Sequence, residues 1–313
     1  MKKFAMIFSG QGLYNLHILQ LLMKKYSLIK QTFYEASEFL KYDILKKIFN
    51  VNYPNQKYQL DFQYLLLISS VALFRLWLQE SLYIYPDIIA GHSLGQYSAL
   101  ICNNSIKFID GLKILKIRNQ IIQSNIKNIS FLTYAIIGLK LETIKKICLY
   151  VSKNQSKVFV SCINSDIQIV ITGHDQAVLK ARTLCKKYGA IYTIKLPIYI
   201  SMHCNLMRKI SKIFSYNLND IKISLGKCSI IENVNASFLL SRRDIYSAII
   251  KQFYRPVKWN KIIKKIKSNN IQYCIEINLK NSLRNICILS KNIKILSINS
   301  PNSLISTIDI IKK

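Results

Sequence analysis

The amino-acid sequence predicts an α/β protein with a mostly parallel sheet and a smaller inserted subdomain. Two observations along the 313 residues support this prediction. Short apolar runs alternate with stretches of helical spacing, which favours parallel strands covered by helices on both faces. In mid-chain the predicted order becomes βαββαβ, the order of a ferredoxin-like unit. We therefore expect a large α/β subdomain at 1–130 and 197–313, and an inserted ferredoxin-like subdomain at 131–196.

The first part of the chain contains two predicted strands that each lead into a glycine turn. The apolar run Phe4–Phe8 precedes Gly10-Gln11-Gly12, as expected of a strand that feeds a helix. A second buried strand over 87–91 leads into a sharp turn and a helix through Tyr97–Ile101. Helical spacing of apolar residues predicts further helices over Leu13–Tyr26, Gln31–Phe49, Phe62–Glu80 and Ile106–Ser124.

The same patterns predict the strands and helices of the inserted unit and of the rest of the chain. Its predicted strands are Thr133–Leu139, Lys157–Ile163, Gln168–Thr172 and Ala190–Leu196. Its predicted helices are Leu141–Ser152 and Asp175–Tyr188, the second with Asp175 as N-cap. Strands and helices then alternate again, with strands near Ser229–Val234, Gln272–Ile277 and Ile293–Ile298. Helices are predicted from about His203, twice within Ser241–Lys267, between the last two strands and after the last one.

The chain is strongly basic, with 45 Lys and Arg against 15 Asp and Glu and a formal net charge of +30. Half of the residues are hydrophobic, which excludes intrinsic disorder, because disorder combines high net charge with low hydrophobicity. The charge raises the alternative of a nucleic-acid-binding protein, in which Lys and Arg concentrate on one face. Here Lys is spread along every predicted helix and only 8 residues are Arg. We therefore expect no nucleic-acid partner.

The sequence offers no membrane, secretory or metal-binding signal. No window has about 18 uninterrupted apolar residues, and the best candidate, Tyr64–Leu78, contains two serines and Arg75, as a buried helix can. The apolar run after Lys3 is too short for a signal peptide. The 8 cysteines are scattered without a C-x-x-C pair. We expect reduced cysteines in a cytoplasmic protein, with neither a metal site nor a disulfide framework.

The segment Gly91-His92-Ser93-Leu94-Gly95 fits the G-x-S-x-G pattern of a nucleophile elbow. In such an elbow a strained turn from strand to helix exposes the serine, and the glycines relieve crowding around it. The helix directs free N–H groups at developing negative charge, and the Leu94 N–H is placed to serve as an oxyanion donor. With only 9 glycines in the chain, a chance match is expected at roughly a few per cent. Ser93 is the predicted nucleophile, against the alternative of a structural turn.

A serine nucleophile needs a base, and the chain has 4 histidines. His92 adjoins the serine and on an elbow points elsewhere, so we expect a structural role for it. His17 and His174 fall at predicted surface positions. His203, at a predicted helix start, is left by elimination as the best candidate for the base.

Arg118 is the second candidate for a binding residue. It is the only arginine between Arg75 and Arg182 in a chain that otherwise uses lysine. Arginine binds carboxylates through two parallel hydrogen bonds, which lysine cannot do. The residues alone leave open whether Arg118 binds a carboxylate or is an ordinary surface side chain.

Five segments of the chain together resemble one known family. They are Phe4–Gly12, Gly91–Leu100, Lys116–Arg118, Ser201–Cys204 and Lys251–Trp259. The family is that of the bacterial malonyl-CoA:acyl carrier protein transacylases of fatty-acid synthesis, and the resemblance runs nearly end to end. It implies a large α/β-hydrolase-like subdomain with an inserted ferredoxin-like subdomain.

The resemblance also implies a reaction. A malonyl group would pass from malonyl-CoA to Ser93, with His203 as base, and then to the phosphopantetheine thiol of acyl carrier protein. The backbone carbonyl of Gln252 would orient His203 in place of a carboxylate. No metal or cofactor is implied, and we expect a cytoplasmic monomer.

Binding roles follow from the same resemblance. The backbone N–H groups of Gln11 and Leu94 would hold the oxyanion, and Arg118 would pair with the malonyl carboxylate. Met202, directly before the base, resembles the bulky residue of malonyl-selective relatives. We therefore expect methylmalonyl groups to be rejected.

Two further alternatives compete with this interpretation. An α/β-hydrolase esterase shares the elbow, but its chain order places a histidine near the C-terminus, and here no histidine follows His203. A degraded pseudoenzyme would keep only the fold. The presence of Ser93, His203, Arg118 and Gln11 together argues against it.

Overall fold

A computed structural model of the chain describes residues 1–10, 15–50, 59–126, 129–152, 156–279, 282–287 and 293–313. Its strands are β1 (Phe4–Phe8), β2 (Ile88–Gly91), β3 (Phe131–Ile137), β4 (Val158–Ile163), β5 (Gln168–His174), β6 (Tyr192–Lys195), β7 (Ser229–Ile231), β8 (Tyr273–Ile277) and β9 (Lys294–Ile298). Its helices are α1 (Leu16–Lys25), α2 (Ser27–Leu40), α3 (Ile44–Phe49), α4 (Gln59–Ser81), α5 (Gly95–Cys102), α6 (Phe108–Asn125), α7 (Leu141–Val151), α8 (Asp175–Lys187), α9 (Arg208–Tyr216), α10 (Arg242–Tyr254), α11 (Trp259–Ser268), α12 (Ser282–Cys287) and α13 (Pro301–Lys312).

The larger sheet is parallel throughout, in the order β7-β2-β1-β8-β9. Helices cover both of its faces, so its central strands are apolar runs rather than alternating ones. Every residue of β1 is buried, as is every residue of β2. The register pairs Phe8 with Gly91, so β1 and β2 end side by side at the edge where ligand sites gather in such sheets.

The smaller sheet is antiparallel, in the order β4-β5-β3-β6, and is built only from residues 131–195. This βαββαβ unit has the ferredoxin-like strand order. The α/β class with a parallel sheet and an inserted antiparallel unit is therefore confirmed. The boundaries 130/131 and 196/197 between two subdomains stay a prediction.

The smaller sheet is bound by backbone hydrogen bonds to the segment between α10 and α11, and it packs against the larger sheet through apolar side chains. The Ile163 N–H donates to the Val257 carbonyl at 2.8 Å, and the Val257 N–H donates to the Ser161 carbonyl at 2.9 Å. Ala135, Cys162 and Val170 of the smaller sheet pack into an apolar cluster with residues of the larger sheet. The segment before α11 therefore holds the inserted unit against the parallel sheet.

Two details of the predicted elements are wrong. The single helix expected over Gln31–Phe49 is two helices, because Lys41 adopts a left-handed conformation (φ 64°) and ends α2, and Asp43 caps α3 by accepting the Lys46 N–H. Asp175 is not an N-cap but the first residue of α8, and His174 holds the capping position. The other predicted helices and strands differ by a few residues at their ends, and residues 13–14 of the first helix lie outside the described residues.

Helix α4 is long and apolar enough to cross a membrane by composition alone. Within its candidate span Leu60–Ser81, an 18-residue window has a mean hydropathy of 1.3, yet 89% of that window is buried inside the protein. It packs against α2, α5 and α6, and it contacts strand β8 of the parallel sheet. The burial is that of a core helix, as the sequence predicted for this segment.

Candidate active site

The turn between β2 and α5 carries Ser93 in a left-handed backbone conformation, with φ 53°. Both flanking glycines are required by space. A Cβ at Gly91 would lie 2.0 Å from the carbonyl of Gly95, and one at Gly95 would lie 2.3 Å from the Phe8 carbonyl oxygen. The close approach of α5 to the ends of β1 and β2 therefore explains why this turn contains two glycines and presents a strained serine.

His203 lies directly against Ser93. The Ser93 Oγ and the His203 Nε2 are 2.6 Å apart, and the His203 Nδ1 is 2.7 Å from the backbone carbonyl of Gln252. Because a carbonyl oxygen can only accept, Nδ1 carries the proton and Nε2 is left to accept from the serine hydroxyl. The geometry is that of an activated serine whose base is oriented by a peptide group.

Burial holds the pKa of His203 at about 3, far below the ordinary value for histidine, because the charged imidazolium would lose its solvation. The Gln252 carbonyl opposes this shift in the pKa, while the positive charge of Arg118 and the nearby His92 add to it. The imidazole is therefore neutral near pH 7 and free to accept a proton.

The backbone of Ser93 is held by two side chains that the sequence analysis did not single out for this role. The Asn233 Oδ1 accepts the Ser93 N–H at 2.8 Å, and the Gln252 Nε2 donates to the Ser93 carbonyl at 2.8 Å. Asn233 follows β7, the neighbour of β2 in the sheet. The predicted strand Ser229–Val234 included Asn233, so no signal for this role was available from the sequence; the strand in the structure ends at Ile231, which places Asn233 at the edge where the parallel strands end.

The Leu94 N–H, the first predicted oxyanion donor, lies in the turn before α5, and Leu94 lines the same cavity as Ser93 and His203. Leu94 is the N-cap of α5, and the N–H groups around it are occupied: Ser93 donates to Asn233, and Gly95 donates to the His92 carbonyl at 2.9 Å. Within the described residues the Leu94 N–H makes no such turn hydrogen bond. Gln11, the second predicted donor, lies outside the described residues.

Arg118 is buried in α6, which excludes the alternative of an ordinary surface side chain, whereas its binding of a carboxylate stays a prediction. Its Nη1 donates to the Gln63 Oε1 at 3.0 Å, and its guanidinium lies 5.7 Å from the centre of the Phe253 ring. Among the described residues no carboxylate lies within ion-pair distance of Arg118, and its Nε–H has no acceptor. A buried cation without a counter-ion suits an anionic ligand.

These side chains face one cavity of about 210 Å³ between the two sheets. Ser93, His203 and Arg118 line it together with Met202, and the smaller sheet contributes both polar and apolar lining residues, among them Thr172 and Val170. His92 also lines it, but its Nε2 is 2.9 Å from the Asn164 Oδ1 and its ring packs edge-on against Trp259. The cavity therefore brings together the predicted nucleophile, the predicted base and a buried cation.

Metal-binding chemistry finds no support in the part of the chain that the structure describes. No group of three or more His, Cys, Asp or Glu side chains is placed to hold an ion there. The described cysteines are free and mostly buried. Burial raises the pKa of Cys162, at the cavity wall, to about 12, so this thiol is not a reactive thiolate.

Known proteins of one kind match nearly the whole chain. The acyl transferase domain family matches residues 6–288. The chain is 40% identical over 305 residues to the malonyl CoA-acyl carrier protein transacylase of Buchnera aphidicola from Schizaphis graminum, covering 96% of each. The malonyl CoA-acyl carrier protein transacylase structure from Coxiella burnetii aligns with a TM-score of 0.93 at 30% identity, over 100% of this chain and 98% of that one.

A second solved structure contains a carrier protein. It is described as a type II PKS acyl-carrier protein in complex with its malonyl-transacylase, and it aligns with a TM-score of 0.93 at 30% identity, over 99% of this chain and 100% of that one. The family match spans the elbow, the base and the buried arginine alike. The chain therefore belongs to the acyl transferase domain family.

Proposed function

We propose that the protein transfers the malonyl group of malonyl-CoA to the phosphopantetheine thiol of acyl carrier protein in fatty-acid synthesis. The malonyl transacylases that match nearly the whole chain support the substrates and the carrier. The observation that carries the proposal is the joint placement of Ser93, His203 and the unpaired, buried Arg118 around one cavity.

The first half-reaction loads the serine. The Ser93 Oγ attacks the thioester carbonyl of malonyl-CoA while the His203 Nε2 takes the hydroxyl proton. The Leu94 N–H stabilises the tetrahedral oxyanion, with Gln11 as the proposed second donor. As the carbon–sulfur bond breaks, His203 returns its proton to the coenzyme A sulfur, which leaves as the thiol.

The second half-reaction is the reverse with a new thiol. The carrier's phosphopantetheine thiol gives its proton to His203 and attacks the malonyl ester on Ser93. The ester C–O bond then breaks, and His203 returns the proton to the Ser93 Oγ. The Gln252 carbonyl holds the Nδ1 proton of His203 in both halves, so the same tautomer serves twice. No metal or cofactor enters this scheme.

Arg118 is proposed to bind the free carboxylate of the malonyl group. Its fork of N–H donors can pair with both carboxylate oxygens, and Gln63 fixes the guanidinium from one side. Acetyl groups lack the carboxylate and would leave the cation unpaired, so they should be poor donors.

The setting of the reaction is also proposed. The free cysteines fit the reducing cytoplasm, and we propose a monomer there with neither membrane nor nucleic acid as a partner. The net charge of +30 favours encounter with the phosphates of coenzyme A and with an acidic carrier, and makes the encounter rate sensitive to salt.

The proposed function is tested by mixing the purified protein with malonyl-CoA and phosphopantetheinylated acyl carrier protein. Mass analysis of the carrier should show malonyl-carrier formation that depends on the protein. Release of free malonate without any malonyl-carrier would instead support an esterase and contradict the proposal.

Methylmalonyl-CoA is expected to be a poor substrate because Met202 narrows the cavity beside the base. Met202 is buried, lines the cavity and directly precedes His203. Exchange of Met202→Ala should raise methylmalonyl loading on Ser93, measured by intact mass, relative to malonyl loading. Met207→Ala is the matched control, since Met207 is buried but lies outside the cavity wall. Equal loading of the two acyl groups by the unmodified protein would contradict the expectation.

A further inference from the structure

The conformation of Ser93 has to be held in place by its surroundings. A residue other than glycine at φ 53° is strained, and such strain persists only where several contacts impose it. The pairing of β2 with β7 ends at Ala90 and Ile231, before this turn begins. On the side of β7, the Gly91 carbonyl and the Ser93 N–H therefore need partners that this strand does not supply, whereas on the side of β1 the His92 N–H donates to the Phe8 carbonyl at 2.8 Å.

Asn233 supplies these partners with one side chain. Its Oδ1 accepts the Ser93 N–H at 2.8 Å, and its Nδ2 donates to the Gly91 carbonyl at 2.6 Å. The primary amide thus offers an acceptor and a donor in the same arrangement as a peptide group of a neighbouring strand. Through these two hydrogen bonds, the Asn233 side chain continues the pairing between β2 and β7 as far as Ser93.

The position of Asn233 is itself fixed. Its N–H donates to the Gln96 Oε1 at 3.0 Å, and its carbonyl accepts the Lys258 N–H at 2.8 Å. Asn233 has no exposed surface. The amide cannot turn away from the elbow without breaking buried hydrogen bonds, which is costly because no water replaces them.

We propose that Asn233 is a positioning residue that fixes the Ser93 backbone and so places its Oγ against His203. Because Asn233 accepts the Ser93 N–H, that N–H cannot bind the oxyanion. The neighbouring Leu94 N–H is then the donor that this turn offers to the oxyanion. Gln252 holds the other side of the same residue by donating to the Ser93 carbonyl. The inference rests on the proposed function, because it assigns Asn233 a role only if Ser93 is the nucleophile.

Asn103 offers a matched control at the opposite end of α5. It is also buried, its Oδ1 accepts the Cys228 N–H at 2.6 Å, and its Nδ2 donates to the Cys228 carbonyl at 3.1 Å. It therefore ties α5 to the start of β7 with the same kind of amide contact, but away from Ser93. Asn233→Ala and Asn103→Ala remove equivalent contacts, and only the first touches the nucleophile.

Steady-state malonyl transfer and thermal unfolding are measured for the wild-type protein and both variants. For Asn233→Ala we expect kcat to fall about 100-fold with KM for malonyl-CoA nearly unchanged, because misplacement of a reacting group affects the chemical step. Asn103→Ala should lose thermal stability and keep kcat. Unchanged kcat in Asn233→Ala, or an equal loss in both variants, would overturn the inference, whereas a wild type that transfers no malonyl group would overturn the proposed function instead.

Asn233→Asp provides a second readout in case the alanine variant does not fold. The ionised carboxylate accepts the Ser93 N–H but cannot donate to Gly91, whereas the protonated form can do both. Its kcat relative to the wild type should therefore rise as the pH is lowered from 8 to 6. A ratio that stays flat over this range, or a failure of both Asn233 variants to fold while Asn103→Ala folds, would show a structural role only.

Discussion

Exchange of His203→Asn is expected to lower malonyl transfer by at least about 10⁴-fold, since loss of the base from a serine–histidine unit removes most of its rate enhancement. The variant should still fold, because His203 has φ 61° and asparagine tolerates that region better than other non-glycine residues. The rate of malonyl-carrier formation checks the expectation. His17→Asn, at an exposed position in α1, is the control and should transfer at the wild-type rate. Transfer by His203→Asn within tenfold of the wild type would contradict the assignment of the base.

The same variant should change how stability depends on pH. The pKa of His203 is about 3 in the folded protein, against about 6.5 in an unfolded chain. As the pH falls from 6.5 towards 3, the unfolded chain binds a proton that the folded protein does not, so His203 lowers the free energy of unfolding over this range. His203→Asn removes this contribution, while every other titrating group is shared. Urea unfolding at pH 7 and pH 4.5 should show a smaller acid loss in the variant, and equal losses would contradict the buried, neutral state of the imidazole.

Exchange of Arg118→Ala is expected to reduce malonyl transfer by about 100- to 1,000-fold, because loss of one partner from a buried charge pair costs about 2–5 kcal/mol. Acetyl transfer should change little or rise, since the acetyl group makes no ion pair. The measured quantity is the ratio of kcat/KM for malonyl-CoA to that for acetyl-CoA. The expected loss is large because the Arg118 guanidinium is buried and has no carboxylate partner of its own, so the malonyl carboxylate would be its counter-ion.

Two controls separate charge from packing in this experiment. Arg118→Lys keeps the charge but loses the two parallel hydrogen bonds, so its selectivity should fall between those of the wild type and the alanine variant. Arg75→Ala removes an arginine that pairs with Glu35 at 2.6 Å outside the cavity, and should leave the selectivity unchanged. Equal losses of malonyl and acetyl transfer in Arg118→Ala would contradict the role of Arg118.

Much of the fold could be predicted because its strands are short apolar runs with long helical stretches between them. The βαββαβ order identified the inserted unit before any contact was known. The break between α2 and α3 was missed because apolar residues keep a helical spacing across it, and only the left-handed Lys41 interrupts the helix. Asp175 was predicted as the N-cap of α8 because acidic residues favour both the N-cap and the first turn of a helix, and the sequence does not distinguish the two positions.

The residues of the site also divide into those that could be predicted from the sequence and those that could not. Ser93 could be predicted because its motif contains the two glycines that the crossing of α5 requires. His203 could be reached by elimination because histidines are scarce. Asn233 and Gln63 could not be assigned roles, because each is a single polar residue whose importance arises from hydrogen bonds formed across long separations in the chain.

The most direct test of the account is the intact mass of the protein after incubation with malonyl-CoA in the absence of carrier. The wild-type protein should gain the mass of one malonyl group, and Ser93→Ala should gain none. Ser98→Ala, at a buried position within α5, should still be loaded. Subsequent addition of acyl carrier protein should remove the group from the wild type and place it on the carrier. A malonyl adduct that persists in Ser93→Ala, or transfer to the carrier without any adduct on the protein, would contradict acyl transfer through Ser93.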